Sequence, residues 1–465
     1  MIRLLAYTVI LILFHTNLSF GQRPSLTLTK EGVDQIKQGL GKTPLFDQQY
    51  DLVKAEIDQQ IKKGISVPIP KDMGGGYTHE QHKYNYKLMH KAGNLYQFSG
   101  EEKYAKFVKD MLMEYAAMFP DLPLHPTMKS YATGKIFWQC LNDANWLVFT
   151  SQAYDCIYNY LSDEERTLLE KDLFIPYANF LSEENPRFFN RIHNHSTWAN
   201  AADGMIALAM KNDTLLEKAL YGLKDDGINP EELDNDGGYI KTEGIWQAGF
   251  LAQLDYSFSP EGYFTEGPYY QRYAILPFLV FSHALHNNKP ELKIFEYRDG
   301  ILLKATKSLL QLTDPQGNFF PINDAQKGMN YTTYELVTAV DLMYYIKNNE
   351  TDLLKWSAKQ GSVSFNEAGY FVAQQLKENK IQEPIKTPQI FGDGVRGEEG
   401  AVAVMRLGAT DLLFKFASHG MGHGHFDRLS YSLYDTQGEV VQDYGAVRWV
   451  NIDQKAGGRL SLIHI

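Results

Sequence analysis

The chain of 465 residues has only two cysteines, Cys140 and Cys156. Two thiols cannot supply a disulfide framework, and buried free thiols are the expected state. Basic character is also missing. The 45 Lys and Arg against 56 Asp and Glu give a formal net charge of -11, which argues against nucleic acid as a partner. An anionic polysaccharide would meet the same long-range repulsion, so any site for one must be locally basic. Past the N-terminal leader no run of roughly 18 apolar residues could span a membrane. No repeat of fixed period suggests a solenoid. The stretch Lys71-Asp72-Met73-Gly74-Gly75-Gly76-Tyr77-Thr78-His79-Glu80-Gln81-His82 lacks the Walker spacing and its Lys-Ser/Thr ending, so it is not a phosphate cradle. Its three glycines mark a loop, read here as lining a cleft.

What the chain does contain begins with a leader. Arg3, the apolar run Leu4 to Phe14 and the ending Ser19-Phe20-Gly21 have the layout of a secretory signal. Residues 1–21 are therefore expected to be removed, placing the mature chain in the periplasm or outside the cell. No cysteine at the cleavage point suggests a lipid anchor. Hydrophobic content of 44%, with 29 Tyr, 26 Phe and 6 Trp, suffices for a large core and suits sugar-binding clefts.

From about Leu26 to Lys359 the pattern is helical. Tyr104, Phe107, Val108, Met111, Leu112, Tyr115 and Met118 keep the three-four spacing of an amphipathic helix. Capping boxes are expected at Ser99 with Glu102 and at Ser162 with Glu165. Many antiparallel helices with short links predict a helical barrel or toroid. After Gly361 the texture changes. Val363-Ser364-Phe365, Gly369 to Val372 and Ala401 to Met405 read as short strands, and Arg428–Tyr434 with Glu439–Tyr444 as a hairpin around Thr436-Gln437-Gly438. The expected organisation is an α+β chain of several domains: an α/α toroid over 22–360, then the first part of an antiparallel β-sandwich over 361–459.

Three constellations carry chemistry. Tyr263 to Tyr273 holds four tyrosines and Arg272 around Gly267-Pro268, and predicts a helix opening at Pro268 with Tyr270 and Tyr273 on one face. A phenol can exchange a proton with a reacting oxygen or carbon if a nearby cation lowers its pKa of about 10. Such a stripe taken alone is more often packing. Arg191 to Trp198 leads into a helix. There Asn194 and His195 could present an amide and an imidazole at a cleft floor, with simple capping as the default. In His419-Gly420-Met421-Gly422-His423-Gly424-His425-Phe426-Asp427 the glycines leave no core to fill, so metal binding is the better account. His425 and Asp443 can meet across the hairpin, and a zinc site needs at least one further ligand.

In order along the chain, these motifs, together with Trp138-Gln139 to Asn145-Trp146 and Gln442-Asp443-Tyr444-Gly445, resemble the polysaccharide lyase family 17 oligoalginate lyases, which are heparinase II/III-like proteins. The resemblance covers nearly the whole mature chain. It implies an α/α toroid with a β-sandwich, and cleavage of alginate oligosaccharides by β-elimination from an end, releasing unsaturated uronate. It implies Asn194, His195 and Tyr270 as catalytic residues and Gln139, Arg272, Tyr273, His423 and Arg448 as substrate contacts. His425 and Asp443 would hold a structural zinc, and no organic cofactor is implied. A homodimer stays open. The family continues after Gly457-Gly458-Arg459 with a catalytic tyrosine, where this chain has Leu460. Residues 460–465 back-translate to a sequencing-adapter end and are expected to be non-native, leaving a fragment without that tyrosine or a third zinc ligand, inactive as printed. Three alternatives remain: a heparinase-like glycosaminoglycan lyase, an α/α-toroid glycoside hydrolase using Glu261 and Glu266, and a non-catalytic sugar-binding protein.

Overall fold

A computed structural model describes residues 23–224, 240–242, 245–417, 423–425, 428–443 and 445. The leader 1–21, Arg448, His419, Asp427 and the tail 460–465 lie outside the described residues. The sequence spacing translates directly into buried faces. In the helix Glu102–Met118 the buried positions include Tyr104, Phe107, Val108, Met111, Leu112 and Tyr115. The box expected in front of it does not form. Gly100 adopts φ 73 and ends the preceding helix, so Ser99 lies in that helix's last turn, where its hydroxyl donates to the Leu95 carbonyl at 2.7 Å. The box at Ser162 and Glu165 is present in both directions.

Five helices form an inner ring: Tyr77–Ser99, Cys140–Ile157, Asn194–Met210, Pro268–Asn288 and Tyr334–Ile346. Each packs on the next, and Glu367–Glu378 and Lys30–Gly39 close the circuit back to the first. Outer helices pair with inner ones, among them Glu102–Met118 with the first and Asp213–Tyr221 with the third. This is the expected α/α toroid. Cys140 and Cys156 are free and buried in its second inner helix.

The helical part runs past the expected boundary at 360. Gly369 to Val372, expected as a strand, belongs to the helix Glu367–Glu378, and Val363 to Phe365 is a loop. The Asn366 side chain accepts the Gly369 N–H at 3.0 Å and starts that helix. Tyr370, Val372 and Ala373 are buried on it. A short apolar run does not by itself distinguish a strand from a buried helical face.

Strands β1 (Ile240–Thr242) and β2 (Ile245–Gln247) pair antiparallel. Strands β3 (Gln389–Gly392), β4 (Ala401–Leu407), β5 (Thr410–Lys415), β6 (Ser430–Asp435) and β7 (Gly438–Val441) form an antiparallel sheet in that order. The β6–β7 hairpin closes through Asp435 and Gly438, as expected. One face of the sheet buries Phe391, Val402, Val404, Leu413 and Tyr434 against Tyr263, Leu312, Phe320 and Ile322. Arg406 secures the contact, pairing with Asp411 and donating to the Gln311 and Thr313 carbonyls. This docking brings 423–425 to the toroid's rim. Among the described residues no helix is long and apolar enough to cross a membrane.

Candidate active site

Three inner helices begin at the same end of the ring, and residues of their first two turns touch. Asn145 Nδ2 lies 2.8 Å from the Tyr273 hydroxyl, and the Tyr273 and Trp198 rings are 5.1 Å apart. The caps are Gln139, His193 and Gly267. Aligned helix N-termini favour an anion there.

His193 fixes the geometry of the central helix. Its backbone is extended, and its Nδ1 accepts the His195 N–H at 3.1 Å. An accepting Nδ1 carries no proton, so the ring is neutral with the proton on Nε2. That Nε2 faces Glu266 at 3.8 Å. Glu266, 1% exposed, accepts the Asn194 N–H at 3.0 Å and also the Asn194 side-chain amide. The Glu266 oxygen that faces His193 also lies 3.6 Å from His423 Nε2. His423 stacks on Tyr270 with ring centroids 3.8 Å apart. Its Nδ1 lies 3.2 Å from Asp324, whose other oxygen reaches His425 Nε2 at 3.0 Å. Burial pushes the Asp324 carboxyl up, but the hydrogen bonds to His423 and His425 outweigh it and hold the group well below the usual carboxylate range.

His195 and Tyr270 are half-buried at the edge of this cluster, whereas Asn194 is buried at its base. Tyr131 covers His195, with its hydroxyl 3.1 Å from Nδ1 and the two rings nearly parallel at 5.9 Å. Arg191 lies over the other ring at 5.0 Å.

The expected site residues separate into groups. Asn194, His195, Tyr270 and His423 belong to one connected cluster. Arg272, read beforehand as a cation for Tyr270, pairs with Glu335 at 2.7 Å and lies over Tyr269 at 5.2 Å. The Tyr273 hydroxyl hydrogen-bonds the Asn145 amide at 2.8 Å. Gln139 donates to Asn142 at 3.1 Å. Tyr263 is core beneath the sheet. The glycine loop is a helix cap: Asp72 accepts the Thr78 N–H at 2.9 Å, and a Cβ on Gly76 would meet the Asp72 side chain at 2.4 Å. His193, Tyr131, Asp324 and Glu335 were missed. Only His193 had a sequence signal, its place at the head of a helix.

Among the described residues, His193, Glu266 and His423 are close enough to hold a metal ion. The tautomer of His193 argues against it, because binding through Nε2 would require loss of the remaining ring proton. His425 fits better. It is 1% exposed, its Nε2 is oriented by Asp324, and its buried Nδ1 has no hydrogen-bond partner among the described residues. A carboxylate behind one nitrogen and a bare second nitrogen suit a metal-binding histidine. Asp443 follows β7 and accepts the Gly445 N–H at 2.8 Å.

Residues 37–320 match the alginate lyase family model, and residues 392–464 match the heparinase II/III-like C-terminal model. The chain is 44% identical to an exo-oligoalginate lyase of Saccharophagus degradans over 459 residues, covering 98% of this chain and 60% of that protein. It is 41% identical to an alginate lyase of Stenotrophomonas maltophilia over 418 residues, covering 89% of this chain and 53% of that one. The chain thus spans between half and two thirds of these relatives' lengths. Its fold is similar to that of an alginate lyase from Bacteroides ovatus, with TM-score 0.52, 14% identity and coverage of 76% of this chain and 99% of that one. It is also similar to heparinase III, with TM-score 0.50, 14% identity and coverage of 82% and 53%.

Proposed function

Because the chain belongs to the alginate lyase family, we propose that the whole protein cleaves alginate oligosaccharides by β-elimination from a chain end, releasing unsaturated uronate. The observation that carries this reading is the continuous line of contacts from His195 through His193, Glu266 and His423 to Tyr270. An imidazole, a carboxamide and a phenol joined in one cluster support the reading. The end-acting mode follows the Saccharophagus relative, an exo-oligoalginate lyase.

In the reaction a base takes the C5 proton, the C5–H electrons form the C4=C5 bond, and the C4–O4 electrons leave with O4, which takes a proton from an acid. The difficulty is the adjacent carboxylate, which must accept further negative charge as the enolate forms. The Asn194 amide and His195, at the N-terminus of their helix, stabilise that charge, and Tyr270 protonates O4. Gln139, Arg272, Tyr273, His423 and Arg448 contact the sugars. His425 and Asp443 would hold a structural zinc, which fixes the β domain and takes no part in the elimination. Metal analysis of the whole protein, which would supply a further ligand, is expected to find zinc and none after His425→Ala; zinc retained by that variant would contradict the assignment. The leader supports export to the periplasm or beyond.

Hydrolysis is less well supported. Glu261 is exposed and holds the Gly392 N–H at 3.2 Å, while Glu266 is buried under Asn194. Incubation with alginate oligomers, heparin and hyaluronan in parallel tests the substrate class. Ultraviolet absorbance of a conjugated double bond should rise with alginate alone. A rise with heparin would move the assignment to a glycosaminoglycan lyase, and reducing ends without a double bond would move it to a hydrolase.

A further inference from the structure

Beside the candidate active site the inner ring encloses a cavity of ≈ 690 Å³. Its wall is contributed by the helices Tyr77–Ser99, Cys140–Ile157, Pro268–Asn288 and Tyr334–Ile346. Tyr273 and Glu335, the partner of Arg272, stand on that wall, as does Trp198 from the helix that begins with Asn194. The volume falls in the range of sites that take small organic ligands, and it exceeds the needs of one sugar ring. Tyr334 lines it and is 49% exposed, so its ring offers a flat surface to an occupant.

The electrostatics of the wall are uneven. Lys83, Lys87 and Lys91 follow one another at four-residue intervals, which puts them on one face of their helix. Lys83 pairs with Glu80 at 3.0 Å and Lys91 with Glu56 at 2.6 Å. Lys87, between them, has no hydrogen bond or ion pair among the described residues. Burial lowers its pKa, Lys83 and Lys91 add to this, and Glu335 and Glu80 oppose it. His90 nearby is held neutral at pH 7, since burial pushes its pKa down to about 4. The Lys87 side chain is exposed on this wall, so its ammonium is open to an incoming anion. Asn142 adds an amide whose oxygen is engaged by Gln139 and whose nitrogen has no partner among the described residues.

We propose that this cavity is a second site for an acidic saccharide, in which Lys87 takes a uronate carboxylate and the Asn142 amide a sugar oxygen. The proposal rests on the reading of the neighbouring cleft as a uronate-oligomer site. The occupant is a carboxylated sugar, supplied by the far end of a bound oligomer or by a released monomer.

Calorimetric titration of the full-length protein, in a Tyr270→Phe background that halts turnover, tests it with three probes: mannuronate trimer, uronate monomer and a carboxyl-reduced trimer. Adding Lys87→Met should weaken trimer binding about tenfold, as expected for one charge-assisted contact. Lys87→Arg should keep affinity within about threefold, and the carboxyl-reduced trimer should bind all variants alike. A parallel loss for the monomer would identify it as an occupant; a loss confined to the trimer would assign the site to the oligomer's far end. Equal trimer affinity with and without Lys87, equal loss for the carboxyl-reduced trimer, or no trimer binding at all would overturn the proposal. Absence of a double bond from the protein with Tyr270 intact would defeat the lyase reading alone.

Discussion

Glu266→Gln is the substitution that examines the site most closely. Glu266 uses both oxygens on Asn194, one on its backbone N–H at 3.0 Å and the other on its side-chain amide. A glutamine keeps one acceptor and turns the other into a donor. It must therefore give up one of these bonds and set an NH2 group against the Asn194 amide or the protonated His193 Nε2. Hydrogen bonds to a charged acceptor contribute about 1.5–3 kcal/mol each, so a loss of about 2 kcal/mol in stability is expected. The Asn194 amide, no longer held, should turn from the position it needs to stabilise the enolate. Removing one such donor costs about a hundredfold or more in turnover. Urea denaturation gives the first quantity and initial rates of double-bond formation give the second. A variant with wild-type stability and wild-type kcat would refute the claim that Glu266 positions Asn194. Loss of turnover without loss of stability would assign Glu266 a direct part in the chemistry.

The pair of buried Arg272 with half-buried Glu335 makes a different prediction. Arg272→Met should destabilise by about 2 kcal/mol because it leaves Glu335 without this partner. Adding Glu335→Gln should restore most of the stability and none of the substrate affinity; restored affinity would remove Arg272 from the substrate contacts. Asp341 predicts a pH effect on stability. Burial raises its pKa from 3.8 to about 7, against the opposing hydrogen bonds from Ser364 and Ser357. The folded chain then holds this proton to higher pH than the unfolded one. Its contribution is fully present below 3.8 and is lost as pH rises through about 7, at up to about 1.4 kcal/mol per pH unit. Asp341→Asn should remove that part of the slope in urea titrations between these limits; an unchanged slope would contradict the assignment.

Features set by neighbours in sequence were legible in advance. The face of Glu102–Met118, the Ser162–Glu165 box, the helix opening at Pro268 and the β6–β7 hairpin all follow from spacing or turn chemistry. Features set by partners far along the chain were not. Asp324 joins His423 and His425 across about a hundred residues, and Glu335 takes the guanidinium of Arg272. Tyr131 reaches His195 from a loop with no motif. Glu266 was singled out as a hydrolase carboxylate, and its burial beneath Asn194 gives it a positioning place instead. The run Gly369 to Val372 misled because its apolar residues face the ring from a helix, and so few residues do not display a period.

The central claim is that this cleft eliminates across C4 and C5 of a uronate with Tyr270 as the proton donor. The rate of ultraviolet absorbance gain on alginate oligomers, compared between the protein and Tyr270→Phe, tests it most directly. Phenylalanine keeps the stacked ring and removes only the hydroxyl, so the variant should stay folded while the rate falls by about 10²–10⁴. An undiminished rate in Tyr270→Phe, or oligomer cleavage with no gain in absorbance, would contradict the account.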